Sequence, residues 1–554
     1  MNKLRKIIER IDRRGYKSYR ELYGKYYFHN FTLSVDKVQG DPFANPSIIS
    51  IIVDNHSFPN EWLNNEDDKV ALCDYLYRLI WLKCHKISRS RGTGHSGKIE
   101  LPSPGQIVVR RSAVEIEDNS IIARIFVGLP AKGRTIDGHA AYEMFFIDIP
   151  QIVKTCLFAK SVNIEHLTNF IVQHRDQCEL RRMLPKRNLI AFVADGSILP
   201  RESGISDKPM KDGKPFFSPK SMKVDFNLPS GKTIAGMGIP EGTTLIVGGG
   251  FHGKTTLLSA IQNGIYNHIP GDGREFVITS PFAVKIRAED GRAIRNVDIS
   301  AFIENLPSGY DTKHFFTDDA SGSTSMAGTI IESLESGAKI LLFDEDTSAT
   351  NFMIKDDRMV ELIENEPIIP LVDRISELRE KFGISVVIVV GGAGEYLDVA
   401  DNVILMEEFE PRDVLYKVKS ILKKYPSSRV KKPTPMQKPA PRIPLPDGFS
   451  PSYGRKRENI KVRGKSLIFG GETIELWAIE QILLPAQINA IGKAMSYISK
   501  KIANSNMSDI LDEIESLISE NGLSALAEDD NFVPPDWAEF RRFELAAAIN
   551  RLRH

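Results

Sequence analysis

The sequence predicts an α/β fold in which a parallel or mixed central sheet, covered by helices, carries a nucleotide site. Three stretches predict it. Gly248-Gly249-Gly250-Phe251-His252-Gly253-Lys254-Thr255 directly follows the apolar run Thr244-Leu245-Ile246-Val247 and fills every position of the phosphate-binding pattern G-x4-G-K-[ST]. Lys339-Ile340-Leu341-Leu342-Phe343 reads as a buried parallel strand that ends in Asp344-Glu345-Asp346. Ala320-Ser321-Gly322-Ser323-Thr324 precedes a helical spacing of apolar residues at Met326, Ile330, Ile331 and Leu334.

Each stretch has a chemical rationale. Glycines let the backbone of the first curl so that successive N–H groups face a phosphate, Lys254 reaches the β and γ oxygens, and the Thr255 hydroxyl can ligate Mg2+. A helix is expected to start there and run through Leu257, Leu258 and Ile261, its positive end adding to the anion site. The expected nucleotide-binding residues are therefore Gly248, Gly249, Gly250, Phe251, His252, Gly253, Lys254, Thr255 and Thr256. In the second stretch Asp344 completes the Mg2+ site with Thr255, and Glu345 orients and deprotonates the attacking water, since phosphoryl transfer asks mainly for positioning and charge neutralisation. Asp346 reads as a helix cap.

The third stretch resembles a degenerate ABC signature. In ABC ATPases a Leu-Ser-Gly-Gly-Gln-type segment opens a helix that runs into the Walker B strand, and the nineteen residues between Thr324 and Asp344 are similar to that family's spacing. Thr347-Ser348-Ala349-Thr350-Asn351 stands where the family keeps its D-loop. The chain thus resembles a P-loop NTPase of ABC type. The resemblance implies a homodimer packed head to tail, in which Ser321, Gly322 and Ser323 of one subunit meet the γ-phosphate on the loop of the other, and assigns Glu345, Lys254 and Ser321 to catalysis. Several wordings are not transporter-like: Val284-Lys285-Ile286-Arg287-Ala288-Glu289-Asp290-Gly291-Arg292, DEDTSATNFM at 344–353 and Gly391-Gly392-Ala393-Gly394. With Gln39-Gly40-Asp41-Pro42-Phe43-Ala44, Gly128-Leu129-Pro130-Ala131-Lys132-Gly133-Arg134 and the run from Phe192 to Arg201 they are similar to the soluble ATPases of the ABC class, some of whose members are associated with mitochondrial RNA editing.

Two departures bear on chemistry. Gly391 to Gly394 stand where ABC proteins place a switch histidine, and no glutamine occupies the Q-loop position. Arg287, Glu289 and Asp290 stand there instead, and fit equally an ordinary charged turn and a metal- or γ-phosphate-sensing role. These departures imply slow hydrolysis with ATP binding as the switch.

The 554 residues exceed one hydrophobic core, and 42% apolar with 26% charged is the composition of a multidomain globular chain rather than a disordered one. Four cysteines without metal-ligand spacing read as reduced thiols in a cytosol-like compartment. No apolar run approaches the roughly 18–20 residues of a membrane span, so no membrane role is expected, and Glu9 and Asp12 argue against a mitochondrial presequence. The expected organisation is an α+β N-terminal domain (1–205), an ABC-type ATPase core (206–410), a basic Pro-rich linker (411–459) and a mainly helical C-terminal domain (460–554).

In the first segment, helices are expected over 4–11 and 70–81 and strands over 49–53, 107–109 and 121–127. Gly92-Thr93-Gly94-His95-Ser96-Gly97-Lys98 is a decoy: Ile99 replaces the metal-binding Ser/Thr, and Pro102 and Pro104 deny it a following helix. Lys86, Arg89, Arg91, Lys98, Arg110 and Arg111 around this loop fit both a solvated basic loop and a surface following a phosphate backbone. From 411 to 465 sixteen Lys/Arg face three Asp/Glu, with prolines at 426, 433, 435, 439, 441, 444 and 446. This is expected to be an extended linker. Its Tyr416, Tyr425, Phe449 and Tyr453 among cations fit a strand-binding surface and, equally, a tether wrapped on an acidic core. Beyond it, strands are expected at 461–462 and 466–469, helices at 474–483, 486–502 and 509–518, and a last helix capped by Asp536 with Glu539 and running through Leu552.

The sequence therefore predicts a cytoplasmic Mg2+-dependent ATPase, with ATP as cofactor, that gates RNA or single-stranded nucleic-acid binding. A protein-remodelling or scaffold ATPase without nucleic acid is the alternative.

Overall fold

The computed structural model describes residues 1–553 except 308, 364, 427–434, 446–448 and 528–531. The prolines at 433 and 446 lie outside the described residues. The chain forms two compact units, Met1–Arg175 with Leu517–Glu539, and Asp176–Ser516 with Phe540–His554.

The second unit is organised by five parallel strands, in the order Ala283–Ile286, Ile340–Asp344, Ser385–Val390, Thr243–Gly248 and Asn402–Glu407, extended by the antiparallel Glu410–Asp413. Every residue of Ile340–Asp344 and of Ser385–Val390 is buried, as a parallel sheet covered on both faces requires. Alternate residues serve opposite faces. Leu245, Ile286, Leu341, Phe343, Val386 and Ile388 pack with Met326, Ala327, Ile330 and Ile331 of the Gly322–Glu335 helix. The intervening Ile246, Leu342 and Val387 are equally buried. The Lys254–Asn263 helix, with Leu257, Leu258 and Ile261 buried, packs on the same strands. Burying each such side chain contributes about 1.5–3 kcal/mol, so these apolar runs hold the sheet together.

An antiparallel sheet ordered Lys223–Asn227, Thr233–Pro240, Leu189–Ala194 and Val277–Thr279 belongs to the same unit. The division between the units therefore falls before residue 205, because Leu189–Ala194 pairs with strands beyond that point. The 411–459 segment is not simply extended. It contains the helix Leu415–Lys424, whose Val418 is buried, and Met436 is 1% exposed within the core cluster. Arg442 pairs with Glu335 at 3.0 Å, and Phe449 stacks on Phe469 with ring centroids 4.9 Å apart.

Beyond the linker, Ile460–Arg463, Ser466–Phe469 and Glu472–Glu475 form a three-stranded antiparallel sheet. The helix expected over 474–483 is thus replaced by a strand and turns. Pro485–Lys501 and Met507–Asn521 are helical. The last helix is Arg542–Ile549, capped at Arg541 with Glu544 rather than at Asp536.

In the first unit, Ser47–Val53 and Ser120–Val127 form the centre of an antiparallel sheet, beside the helix Glu66–Ile87. The glycine-rich stretch at 92–98 is packed rather than flexible: a Cβ at Gly92 would lie 2.0 Å from the Ala131 carbonyl oxygen, and one at Gly94 2.3 Å from that of Pro42. Arg91 pairs with Asp148 at 2.7 Å and Arg111 with Asp74 at 2.8 Å, both nearly enclosed. Two of the six cations grouped there in the sequence are therefore structural.

Candidate nucleotide site

The phosphate loop leaves the sheet at Gly248, whose φ of +145° and whose neighbour at Met406, with a carbonyl oxygen 2.3 Å from a would-be Cβ, admit only glycine. Gly249 and Gly250 continue the turn, Phe251 adopts a φ of +63° with its ring in solvent, and Gly253, at φ +91°, caps the Lys254–Asn263 helix. Lys254 Nζ donates to the carbonyl oxygens of Gly248 and Gly249, each at 2.8 Å. The ammonium is therefore folded over the loop, where it satisfies acceptors that a phosphate would replace. Thr255 is exposed and Thr256 half-buried in the first helical turn. His252 turns aside: its Nδ1 accepts from the Glu408 N–H at 2.8 Å, tying the loop to the hairpin after Asn402–Glu407.

Asp344 ends its strand in register with Val389, and Val390 is in register with Val247, so the carboxylate and the phosphate loop lie at the same end of the sheet, on strands separated by Ser385–Val390. Asp344 is 2% exposed, and among the described residues its side chain accepts only a long 3.4 Å bond from the Asp346 N–H. Acceptor capacity is left for a cation, and the hydroxyl-plus-carboxylate set of Thr255 and Asp344 suits the hard oxygen chemistry of Mg2+.

Glu345 Oε2 accepts from the N–H groups of Gly391 and, at 3.2 Å, Gly392. The glycines at the position of the absent histidine thus hold the carboxylate by backbone donors. A side chain at Gly391 would stand 3.5 Å from that oxygen.

Ser321 is the N-cap of the Gly322–Glu335 helix and is exposed, its Oγ accepting from the Thr324 N–H at 3.4 Å. Ser323 is buried and donates to Asn351 Oδ1 at 2.7 Å. A Cβ at Gly322 would lie within 3.3–3.4 Å of Ala288, Ala349 and Asp290. The signature segment thus packs on the D-loop and on residues 288–290.

Two participants were not singled out by the sequence, and a third reads there only as a charge suited to the negative end of the last helix. Phe409, at φ +67°, brings its ring within 3.0 Å of a Cβ at Gly253. Lys285 pairs in register with Leu342, on the face that carries Asp344, and its buried Nζ has no hydrogen-bond partner among the described residues. Burial lowers its pKa, with Glu480 and Asp344 acting in the opposite direction. The third is Arg551, which forms a buried pair with Glu289. The charged 287–290 segment is thereby tied down: Arg287 donates to Glu480 at 2.9 Å and lies over Trp477.

A glycine turn bearing a lysine, an acidic strand end and a helix-start signature define a nucleotide-binding protein of the P-loop class. The family model described as the ABC-class ATPase P-loop domain matches residues 163–442, and that of the ABC-class N-terminal region matches 1–160. A third, the MRB1590 C-terminal domain, matches 459–554. The chain belongs to the ATPases of the ABC class. It is 31% identical over 267 residues to the uncharacterized protein MJ1628 of Methanocaldococcus jannaschii; the match takes in 46% of this chain and 58% of that protein.

Among solved structures it is similar to cbiO1 of Clostridium perfringens, part of the ABC transporter complex cbiONQ, at 17% identity over 43% of this chain and 94% of that one, with a TM-score of 0.27. It is also similar to the ADP conformation of MJ1267, an ATP-binding cassette of an ABC transporter, at 13% identity over 43% and 96%, with a TM-score of 0.26. Among the described residues no helix is long and apolar enough to cross a membrane.

Proposed function

We propose that this protein binds and hydrolyses ATP between two head-to-tail copies of itself, and that closure of this dimer gates binding of RNA or single-stranded nucleic acid. The observation that carries the dimer is the placement of Ser321 and Gly322. Ser321 is exposed at a helix start, and Gly322 packs on Ala288, Asp290 and Ala349 rather than on its own phosphate loop. A donor-rich helix start directed outward suits a phosphate supplied by a second subunit.

Within each site Lys254 exchanges its two loop carbonyls for β and γ oxygens, and the backbone from Gly248 to Thr256 surrounds the phosphates. Glu345, oriented by Gly391 and Gly392, accepts the proton of the attacking water. Thr255 and Asp344 would hold Mg2+, which neutralises the developing phosphate charge.

Exposed Tyr416 and Tyr425 among Lys417, Lys419, Lys423 and Lys424, and exposed Tyr453 beside Arg455, Lys456 and Arg457, support nucleic-acid binding by stacking and charge pairing. Light scattering of Glu345→Gln tests the dimer: ATP should shift it to twice the monomer mass, and a monomer at saturating ATP refutes it. Filter binding of labelled single strands at about 50 mM salt tests the gate. Binding that weakens steeply with salt and changes with ATP is expected, whereas no detectable binding together with a stoichiometric co-purified protein would favour a remodelling ATPase.

A further inference from the structure

The 287–290 segment is held from four sides within the second unit. Arg551, at the end of the last helix, grips Glu289 through Nε at 3.1 Å and Nη2 at 2.5 Å; the two side chains are 4% and 5% exposed. The Glu289 N–H donates to Ser325 Oγ at 2.9 Å on the signature helix, and the Ala288 N–H donates to the Thr347 carbonyl at 2.9 Å in the D-loop. Arg287 pairs with Glu480, and the Lys285 N–H donates to Gln481 Oε1 at 3.0 Å. Side chains from 477–481 and from the chain just beyond the last helix therefore close over a segment that touches both the signature helix and the D-loop.

A buried, forked ion pair is a costly way to fasten a surface turn, because both charges lose their water. Its geometric selectivity suits a group that must be held at one setting. We infer that Arg551 is a positioning residue for ATP hydrolysis. Through Glu289 it sets the 287–290 segment, and with it Ser325 and Gly322 on one side and Thr347, two residues from Glu345, on the other. The C-terminal helix of this chain is thus the element whose placement adjusts turnover, an inference that rests on the ATPase reading above.

The test uses the full chain and measures turnover, ATP affinity and thermal midpoint separately. The doubly neutral variant Glu289→Gln with Arg551→Gln leaves no unpaired charge, and Arg551→Lys keeps the charge but loses the fork. The expected result for the neutral pair is turnover lower by roughly tenfold, within the range typical of coupled sites, with ATP Kd within about twofold of the parent. Arg551→Lys is expected in between. Neutral-pair turnover within twofold of an active parent refutes the inference alone. Turnover lost only in step with ATP affinity and thermal midpoint, with Arg551→Lys as impaired as the neutral pair, also refutes it. A parent that binds ATP but hydrolyses it no faster than Glu345→Gln refutes the hydrolysis reading, and the inference with it.

Discussion

Replacing Lys254 by alanine removes an ammonium that already makes two 2.8 Å hydrogen bonds to the Gly248 and Gly249 carbonyls. ATP binding therefore exchanges two bonds to neutral acceptors for bonds to charged phosphate oxygens. Hydrogen bonds involving a charged group contribute about 1.5–3 kcal/mol, against roughly 1 kcal/mol for neutral pairs, and those between two opposite charges lie at the upper end. The gain over the ligand-free arrangement is thus about 2–3 kcal/mol, which corresponds to roughly 30- to 150-fold in Kd. Lys254 is only half-buried and the freed carbonyls can take up water, so the thermal midpoint without nucleotide should change by no more than a few degrees. Titration calorimetry with ATP and Mg2+ gives Kd directly. A change below threefold in a folded variant would refute the reasoning that the lysine is parked on the loop in wait for phosphate.

Other outcomes follow from the same geometry. Glu345→Gln should keep ATP affinity and lower turnover by about 10²–10⁴-fold, measured as phosphate release; unchanged turnover would remove Glu345 from the base role. Gly248→Ala forces a Cβ to 2.3 Å from the Met406 carbonyl at φ +145° and should cost roughly 2 kcal/mol or more and abolish ATP binding, as circular dichroism melts and calorimetry can show. Burial raises Glu335 from 4.5 to about 7, with Arg442 opposing it. Between those pH values the folded chain keeps a proton that the unfolded chain has lost, so stability falls as pH rises through the window, by up to about 3 kcal/mol. Glu335→Gln should flatten this part of the pH dependence of the melting temperature, and an unchanged slope would count against it.

The phosphate loop, the Asp344 strand end and the Ser321 helix start were legible because each is a contiguous pattern whose period and glycine positions have one structural solution. The parallel strands were legible for the same reason: four consecutive apolar residues, as in the strand Ile340–Asp344 before its terminal acid, have nowhere to go but a sheet covered on both faces. Residues 474–483 misled because apolar Ile474, Leu476, Ala478 and Ile482 suit either period, and the turn at Gly470-Gly471 settles the matter by folding Glu472–Glu475 back on Ser466–Phe469. The pairing of Arg551 with Glu289 could not be found, since the two lie 262 residues apart. The basic stretch beyond 411 reads as a tether by composition, yet single apolar side chains such as Val418 and Met436 anchor parts of it to the core. The holders of Glu345 were hidden for a different reason: they are main-chain amides, and any residue except proline could supply them.

An imidazole changes its charge near neutrality, so a carboxylate steadied by histidine would feel a second ionisation in the physiological range. The amide hydrogens of Gly391 and Gly392 do not ionise there. The donor side of their hold on Glu345 therefore carries no group that titrates near neutrality, and no substitution of a side chain can remove those donors except replacement by proline.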